Sequence, residues 1–302
     1  MRNNRFNIPP ALKEGDKVAI FLSSSPVKEP YRENGVRQLE KLGFVPVEVN
    51  NPLGKVPTAD FLARSPEQSF ADIQRFFSDP EIKALWAGRG GYGANLLLPF
   101  LDRLDMPLPK IVIGSSDVSY LLWNLMERFK MVVYYGPMVY ASLAEDRFDA
   151  ANLKQVLCDP AAKFALTGET LISGNTRGML TGGCLSNLAS LLGTPYFPPV
   201  ENRILLLEDV GERPFRLDRM LWQLAVAGVF SKIKGLLLGQ FPRCFSHEGE
   251  KETFLGRVQY YLKDTTIPVL YDLPLGHADT IYTIPLGQEY EINTPQLVSG
   301  KS

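Results

Sequence analysis

Only two histidines, His247 and His277, occur in the 302 residues, and only three cysteines, Cys158, Cys184 and Cys244. An odd cysteine count without paired metal-ligand spacing suits a reducing compartment better than a disulfide framework, and zinc is not expected. Chemistry that needs an imidazole has just two candidates. Charge of one sign is lacking as well: 32 basic residues against 33 acidic ones leave a net charge of -1. The whole-chain electrostatic footprint of a nucleic-acid binder is therefore absent. Residues 1–10 hold no apolar signal core, and no later segment offers about 18 uncharged apolar residues in a row. Secretion and membrane spanning are not expected, and the cytoplasm is the expected location.

What is present is ample apolar material. At 45% hydrophobic, the chain can fill one large core or two modest ones. Residues 17–22 read as a buried first strand ending in Ser23-Ser24-Ser25-Pro26. Residues 31–42 place Val36, Leu39 and Leu42 on one helical face before Gly43, and 45–49 are strand-like. Ser65-Pro66-Glu67-Gln68 can cap a helix that runs to about Phe77. Strands are expected at 82–87, 111–113 and 131–135, with helices at 94–101 and 118–128 between them. This alternation predicts an α/β fold whose parallel sheet is covered on both faces.

From Ala150 the rhythm changes. A short helix to Leu157 is followed by a polar stretch through Asn175 without a clear period, and a boundary near 160 divides the chain into domains 1–160 and 161–302. The second domain is expected to be mixed and richer in β-structure. It has a helical run at 185–192, strands at 204–208 and 235–239, helices at 215–227 and 250–262, and short strands at 267–271, 281–285 and 290–292.

Four stretches carry possible chemistry. Ile111-Val112-Ile113-Gly114-Ser115-Ser116-Asp117 reads as strand, tight turn and helix start, a setting that exposes a serine hydroxyl beside helix N–H groups. A plain N-cap role for Ser115 or Ser116 fits it equally well. Gly88-x-Gly90-x-x-Gly93 matches the dinucleotide fingerprint in letter. However, it follows the third strand, and no acidic residue closes a strand about twenty residues later. The same glycines can serve as a tight turn or as backbone donors to an oxyanion. His277 lies in the rigid Pro274-Leu275-Gly276-His277 loop, whereas His247 sits in a polar segment. Glu208 ends an apolar strand. Together Ser116, Glu208 and His277 give a nucleophile, an acid and a base in the chain order seen in α/β-hydrolases, distributed over two domains.

With these residues in view, the sequence resembles the LD-carboxypeptidase family, serine peptidases that include murein tetrapeptide carboxypeptidases and microcin C self-immunity proteins. The likeness spans nearly the whole chain. It rests on the Ser-Ser-Pro after the first strand, Asp79-Pro80-Glu81-Ile82-Lys83 running into the glycine loop, Gly114-Ser-Ser-Asp117 and Tyr135-Gly136-Pro137. Gly193-Thr-Pro195, Leu207-Glu-Asp-Val-Gly-Glu212, Asp218-Arg-Met-Leu221 and Gly276-His277 continue it.

The resemblance implies a doubly wound, flavodoxin-like or class I amidotransferase-like N-terminal domain and a swivelling β-rich α/β C-terminal domain, commonly in a homodimer. It implies catalysis by Ser116, Glu208 and His277 with backbone donors at Gly91 and Asp117. The implied substrate is a murein tetrapeptide losing its terminal D-alanine in peptidoglycan recycling, with no cofactor or metal. Two positions depart from the pattern: Ser115 stands where an aromatic residue is usual, and Cys184 where an asparagine is common. Three further readings stay open: a microcin-type peptidase cleaving peptidyl or aminoacyl nucleotide sulfamates, a nucleotide-binding module using the glycine fingerprint, and a cysteine hydrolase at Cys184. Arg89, Arg213 and Arg216 are the cations nearest in sequence to these stretches, each with a structural or solvated role as its alternative.

Overall fold

The computed structural model describes residues 6–106, 108–159 and 163–300. The chain divides into two compact units, one comprising Met1–Ala162 with Asp279–Pro285 and the other Lys163–Ala278 with Leu286–Ser302. The boundary expected near 160 lies outside the described residues.

In the first unit, strands β1 (Lys17–Phe21), β2 (Val45–Glu48), β3 (Ile82–Ala87), β4 (Ile111–Gly114) and β5 (Val133–Tyr135) form a sheet in the order β5-β4-β3-β1-β2. All four pairings among them are parallel. The order reverses between β1 and β3, and ligands of such sheets bind in the crevice outside the carboxyl ends of the strands at that switch point. The connecting helices are α1 (Tyr31–Lys41), α2 (Pro66–Ser78), α3 (Leu98–Leu101), α4 (Ser119–Phe129) and α5 (Ala150–Cys158). Helix α1 packs on a π-turn at Val139–Leu143, while α3 packs with both α2 and α4. Helix α2 starts where the sequence places it: Ser65 and Gln68 exchange both bonds of a capping box, and Pro66 occupies the first turn.

The helix expected over 94–101 is broken into a 3-10 turn, Ala94–Leu97, and the single turn α3. Pro99 has no N–H to continue an α-helical ladder through that point, which explains the break.

The second unit holds an eight-stranded mixed sheet. Its strands are β6 (Ala165–Thr167), β7 (Glu169–Ile172), β8 (Asn175–Cys184), β9 (Arg203–Glu208), β10 (Gly235–Leu238) and β11 (Val269–Tyr271). Between β11 and the last two strands the chain returns to the first sheet, where β12 (Ile284–Leu286) lies beside β5. β13 (Glu289–Asn293) and β14 (Gln296–Ser299) then complete the second sheet in the order β6-β14-β13-β8-β9-β10-β11-β7. Its centre, β8-β9-β10-β11, is parallel, and both flanks are antiparallel. Helices α6 (Leu185–Ser190), α7 (Pro214–Val226) and α8 (Glu250–Tyr261) connect these strands.

Strand β8 corrects the sequence reading, which ran its polar stretch without a clear period through Asn175 and expected no strand before the helical run at 185–192. Its glycines mask a strand signal, yet one of them is demanded by the pairing: a Cβ on Gly182 would lie 2.1 Å from the Leu206 carbonyl oxygen of β9. Among the described residues no helix is long and apolar enough to cross a membrane.

Candidate active site

In the first unit, three loops gather at the carboxyl edge, after β1, β3 and β4. Buried strand β4 delivers Ser115 in an extended conformation (φ -156°) and buried at 3% exposure, with no side-chain capping bond to the turn that follows. Ser115 thus holds the N-cap position of the 3-10 turn without lending it a side-chain bond. Ser116 adopts φ 55°, a left-handed conformation uncommon for a residue with a side chain and characteristic of nucleophile turns. Its N–H donates to the Tyr135 hydroxyl at 3.2 Å. The glycine loop lies against this serine: a Cβ on Gly90 would sit 3.0 Å from Ser116 Oγ.

Gly91 has φ 117°, and among the described residues nothing accepts a hydrogen bond from its N–H. The Asp117 N–H belongs to the first turn of the short 3-10 helix Ser116–Val118, where backbone donors lack intrahelical partners.

The Asp117 side chain is buried at 3% exposure. Its Oδ2 accepts from Ser24 Oγ at 2.6 Å and from the Ala94 N–H at 2.8 Å. Burial pushes this carboxyl above its ordinary range, against the lowering effect of bonds from Ser24, Ala94 and Gly93. This arrangement weighs against the nucleotide-binding reading. A dinucleotide fingerprint offers the N–H groups at its helix start to a pyrophosphate, and here those groups serve a carboxylate of the same chain.

In the second unit, β9 ends at Glu208, which is 0% exposed. Its Oε2 accepts from His277 Nδ1 at 2.6 Å and from the His277 backbone N–H at 3.2 Å. A carboxylate only accepts, so Nδ1 carries a ring proton, and in the neutral imidazole Nε2 is the acceptor nitrogen. The loop that carries the histidine is shaped for this contact. Gly276 has φ 84°, and a Cβ there would fall 2.2 Å from Glu208 Oε2, so only glycine lets the backbone approach the acid. Gly239, just after β10, closes the other side, where its Cβ would lie 3.0 Å from that of Glu208.

Cys184 is paired in register with Glu208 and buried at 4% exposure. Burial, together with the charges of Asp209 and Glu208, raises its thiol well above the usual value. A neutral thiol is a poor nucleophile, which counts against the cysteine-hydrolase reading. Asp209 accepts from the Ser186 and Val210 N–H groups, both at 2.8 Å. Burial and the neighbouring Glu208 raise its carboxyl to about 6.

Sequence reasoning did not assign roles to Ser24, Tyr135 or Asp209. Each acts through a contact with a residue distant in the chain, and no local pattern signals it. Arg89 donates to the carbonyls of Pro26 at 2.8 Å and Gly90 at 3.2 Å, a structural role, while Arg213 and Arg216 are exposed. Tyr92 is exposed and tilted against Phe61, and the Tyr282 hydroxyl bonds to Asp149. Among the described residues no cluster of three or more His, Cys, Asp or Glu side chains is placed to hold a metal ion.

Comparison with known proteins identifies the family. Residues 18–136 match the model of the LD-carboxypeptidase N-terminal domain and residues 177–292 that of the LD-carboxypeptidase C-terminal domain. The chain is 31% identical over 290 residues to the murein tetrapeptide carboxypeptidase of Pseudomonas aeruginosa, covering 90% of this chain and 91% of that one. It is 30% identical over 300 residues to a probable murein peptide carboxypeptidase of Bacillus subtilis, covering 95% and 92%. A solved structure of the microcin C7 self-immunity protein shares the fold with a TM-score of 0.88 at 23% identity, over 98% of this chain and 99% of that one. With both domain models matched and relatives 30% and 31% identical over at least 90% of either chain, the chain belongs to the LD-carboxypeptidase family of serine peptidases and is a peptide hydrolase.

Proposed function

We propose that this hydrolase removes the terminal D-alanine of murein tetrapeptides by cutting the L,D-amide bond, with Ser116 as nucleophile, His277 as base and Glu208 as the acid that orients it. The observation that carries the reading is the His277–Glu208 contact of 2.6 Å at a fully buried carboxylate. With Nδ1 donating to Glu208, Nε2 is the nitrogen that acts as the base in this reading. Ser116 Oγ attacks the amide carbonyl carbon and its proton passes to Nε2, while Glu208 stabilises the imidazolium. The oxyanion is held by the N–H groups of Gly91 and Asp117. The C–N bond then breaks as the imidazolium protonates the leaving amine. Water, deprotonated by the same nitrogen, attacks the resulting ester and restores the serine.

The names of the two murein carboxypeptidases support this substrate class, and a role in muropeptide recycling in the cytoplasm is part of the same proposal. Mass spectrometry of purified protein incubated in parallel with a murein tetrapeptide and with an aminoacyl sulfamoyl nucleotide separates the substrates. Release of D-alanine from the first is the expected result. Turnover of the second alone would give the microcin-type activity instead.

A homodimer completes the proposal. On α7, Phe215, Trp222 and Val226 are 54%, 53% and 68% exposed, and their spacing of seven and four residues puts them on one helical face. A self-complementary contact of this kind is the usual basis of a two-fold dimer. Sedimentation velocity is expected to show a dimer that Trp222→Glu converts to monomer; a monomeric parent protein would remove the dimer from the account.

A further inference from the structure

The Asp117 carboxylate is an unusual group to bury. Its described hydrogen-bond donors, Ser24 Oγ, the Ala94 N–H and the Gly93 N–H, are all neutral, and a charge held only by neutral donors is expensive compared with an apolar residue at the same place. What those donors share is location. Ser24 belongs to the loop after β1, and Gly93 and Ala94 end the glycine loop after β3. These two loops flank the β1/β3 switch point, and the glycine loop abuts Ser116.

A second set of contacts ties the same loops together. The Ser25 N–H donates to the Gly90 carbonyl at 3.4 Å, and the Tyr92 N–H donates to Ser25 Oγ at 3.2 Å. Gly91 is therefore pinned on both sides, and a Cβ on it would fall 2.3 Å from Ser25 Oγ. The C-terminal end of the loop is held by Asp117, whose own backbone begins at the nucleophile.

We propose that the Asp117 side chain, with Ser24, is a positioning group that locks the glycine loop against Ser116 and so fixes the direction of the Gly91 N–H. The role rests on the reading of Gly91 as an oxyanion donor. The backbone of Asp117 stabilises the oxyanion directly, and its carboxylate does so at one remove, through the loop it holds.

Asp117→Asn keeps the shape and one acceptor oxygen but replaces the other with an NH2 that faces N–H and O–H donors. A contact made only in the transition state lowers kcat and leaves KM in place. Misplacing such a donor by about 1 Å costs on the order of 100-fold in rate. The expected result for Asp117→Asn is a kcat about 100-fold lower with KM within about two-fold, measured on protein shown to be folded by calorimetry at the assay temperature. Affinity for a tripeptide aldehyde, which forms a tetrahedral adduct with the serine, falls in the same proportion as kcat/KM.

Ser24→Ala removes one donor without disturbing the carboxylate and is expected to lower kcat by about 10-fold. The double variant is expected to match Asp117→Asn alone, because both remove the same link. A folded Asp117→Asn protein with kcat and aldehyde affinity unchanged overturns the proposal, as does an equal effect on substrate KM and aldehyde affinity. If Asp117→Asn does not fold, an unchanged kcat in Ser24→Ala has the same force. Ser116→Ala separates the two levels: if it stays active, the serine reading itself fails, whereas if it is inactive beside an unaffected Asp117→Asn, only the positioning role is lost.

Discussion

Ser116→Ala is expected to lower kcat for D-alanine release by about a million-fold while leaving KM within a few-fold, the magnitude seen when the serine of a triad is removed. Ser116 is half-buried and held in a left-handed turn with its N–H on Tyr135, so the alanine variant keeps the backbone and loses only the attacking oxygen. Ser115 stands next in the chain, but its extended backbone and burial at 3% exposure keep it from replacing its neighbour. Ser115→Ala is therefore expected to stay within about ten-fold of the parent, as for a core change without a part in the chemistry. Residual activity in Ser116→Ala on the order of 1,000-fold above the uncatalysed rate is compatible with this account, since oxyanion donors and substrate binding survive the change. The measurement is single-turnover D-alanine release followed by mass spectrometry on all three proteins.

Glu208→Gln is expected to reduce kcat by about 10,000-fold, as loss of the orienting carboxylate does in serine hydrolases of this design. The amide can turn its NH2 toward Nδ1, which then accepts rather than donates, and the proton moves to Nε2, the nitrogen that must take the serine proton. In the other orientation the amide oxygen keeps both His277 donors but the negative charge that stabilises the imidazolium is gone, and Glu208, 0% exposed and enclosed by the close approaches of Gly239 and Gly276, leaves its replacement little room to move away. Glu208→Asp retains the charge but shortens the reach, and partial activity between parent and Gln variant is expected. His277→Ala combined with Ser116→Ala is expected to cost no more than either alone, because the members of a triad act as one unit. An additive double variant, or a Glu208→Gln protein within ten-fold of the parent in a kcat–pH series, would remove Glu208 from the mechanism.

The separate strengths of sequence and structure are visible at particular residues. Glu208 stood out in the sequence as a carboxylate closing the run Ile204-Leu-Leu-Leu207, a half-buried functional group or the start of an acidic loop with Asp209 and Glu212, and its burial at 0% exposure favours the first. His277 was legible through scarcity and through Gly276, and Ser116 through a glycine ending an apolar strand. The partner of Glu208 was open to proposal from chain order and family likeness, but the 2.6 Å contact and the φ of Gly276 belong to three-dimensional packing.

What stayed hidden depends on pairing between distant segments. Strand β8 escapes local pattern because glycine carries little strand signal, and Gly182 is there for the close approach of β9. β12 joins the sheet of the first unit although local pattern assigns it to the second domain, since period and composition do not say which sheet a short strand extends. Asp117 was read for its backbone alone. Its side chain takes meaning only from Ser24 and Ala94, which lie 93 and 23 positions away.

The central proposal is that His277, oriented by Glu208, activates the Ser116 hydroxyl. Covalent trapping tests it most directly. The protein is treated with a fluorophosphonate, and the modified residue is located by peptide mass spectrometry in the parent and in His277→Ala. The account predicts one adduct, on Ser116, that forms at least 100-fold more slowly when His277 is absent, in keeping with the contribution of a positioned general base. An adduct on another residue, or labelling of Ser116 at the same rate in His277→Ala, would contradict it.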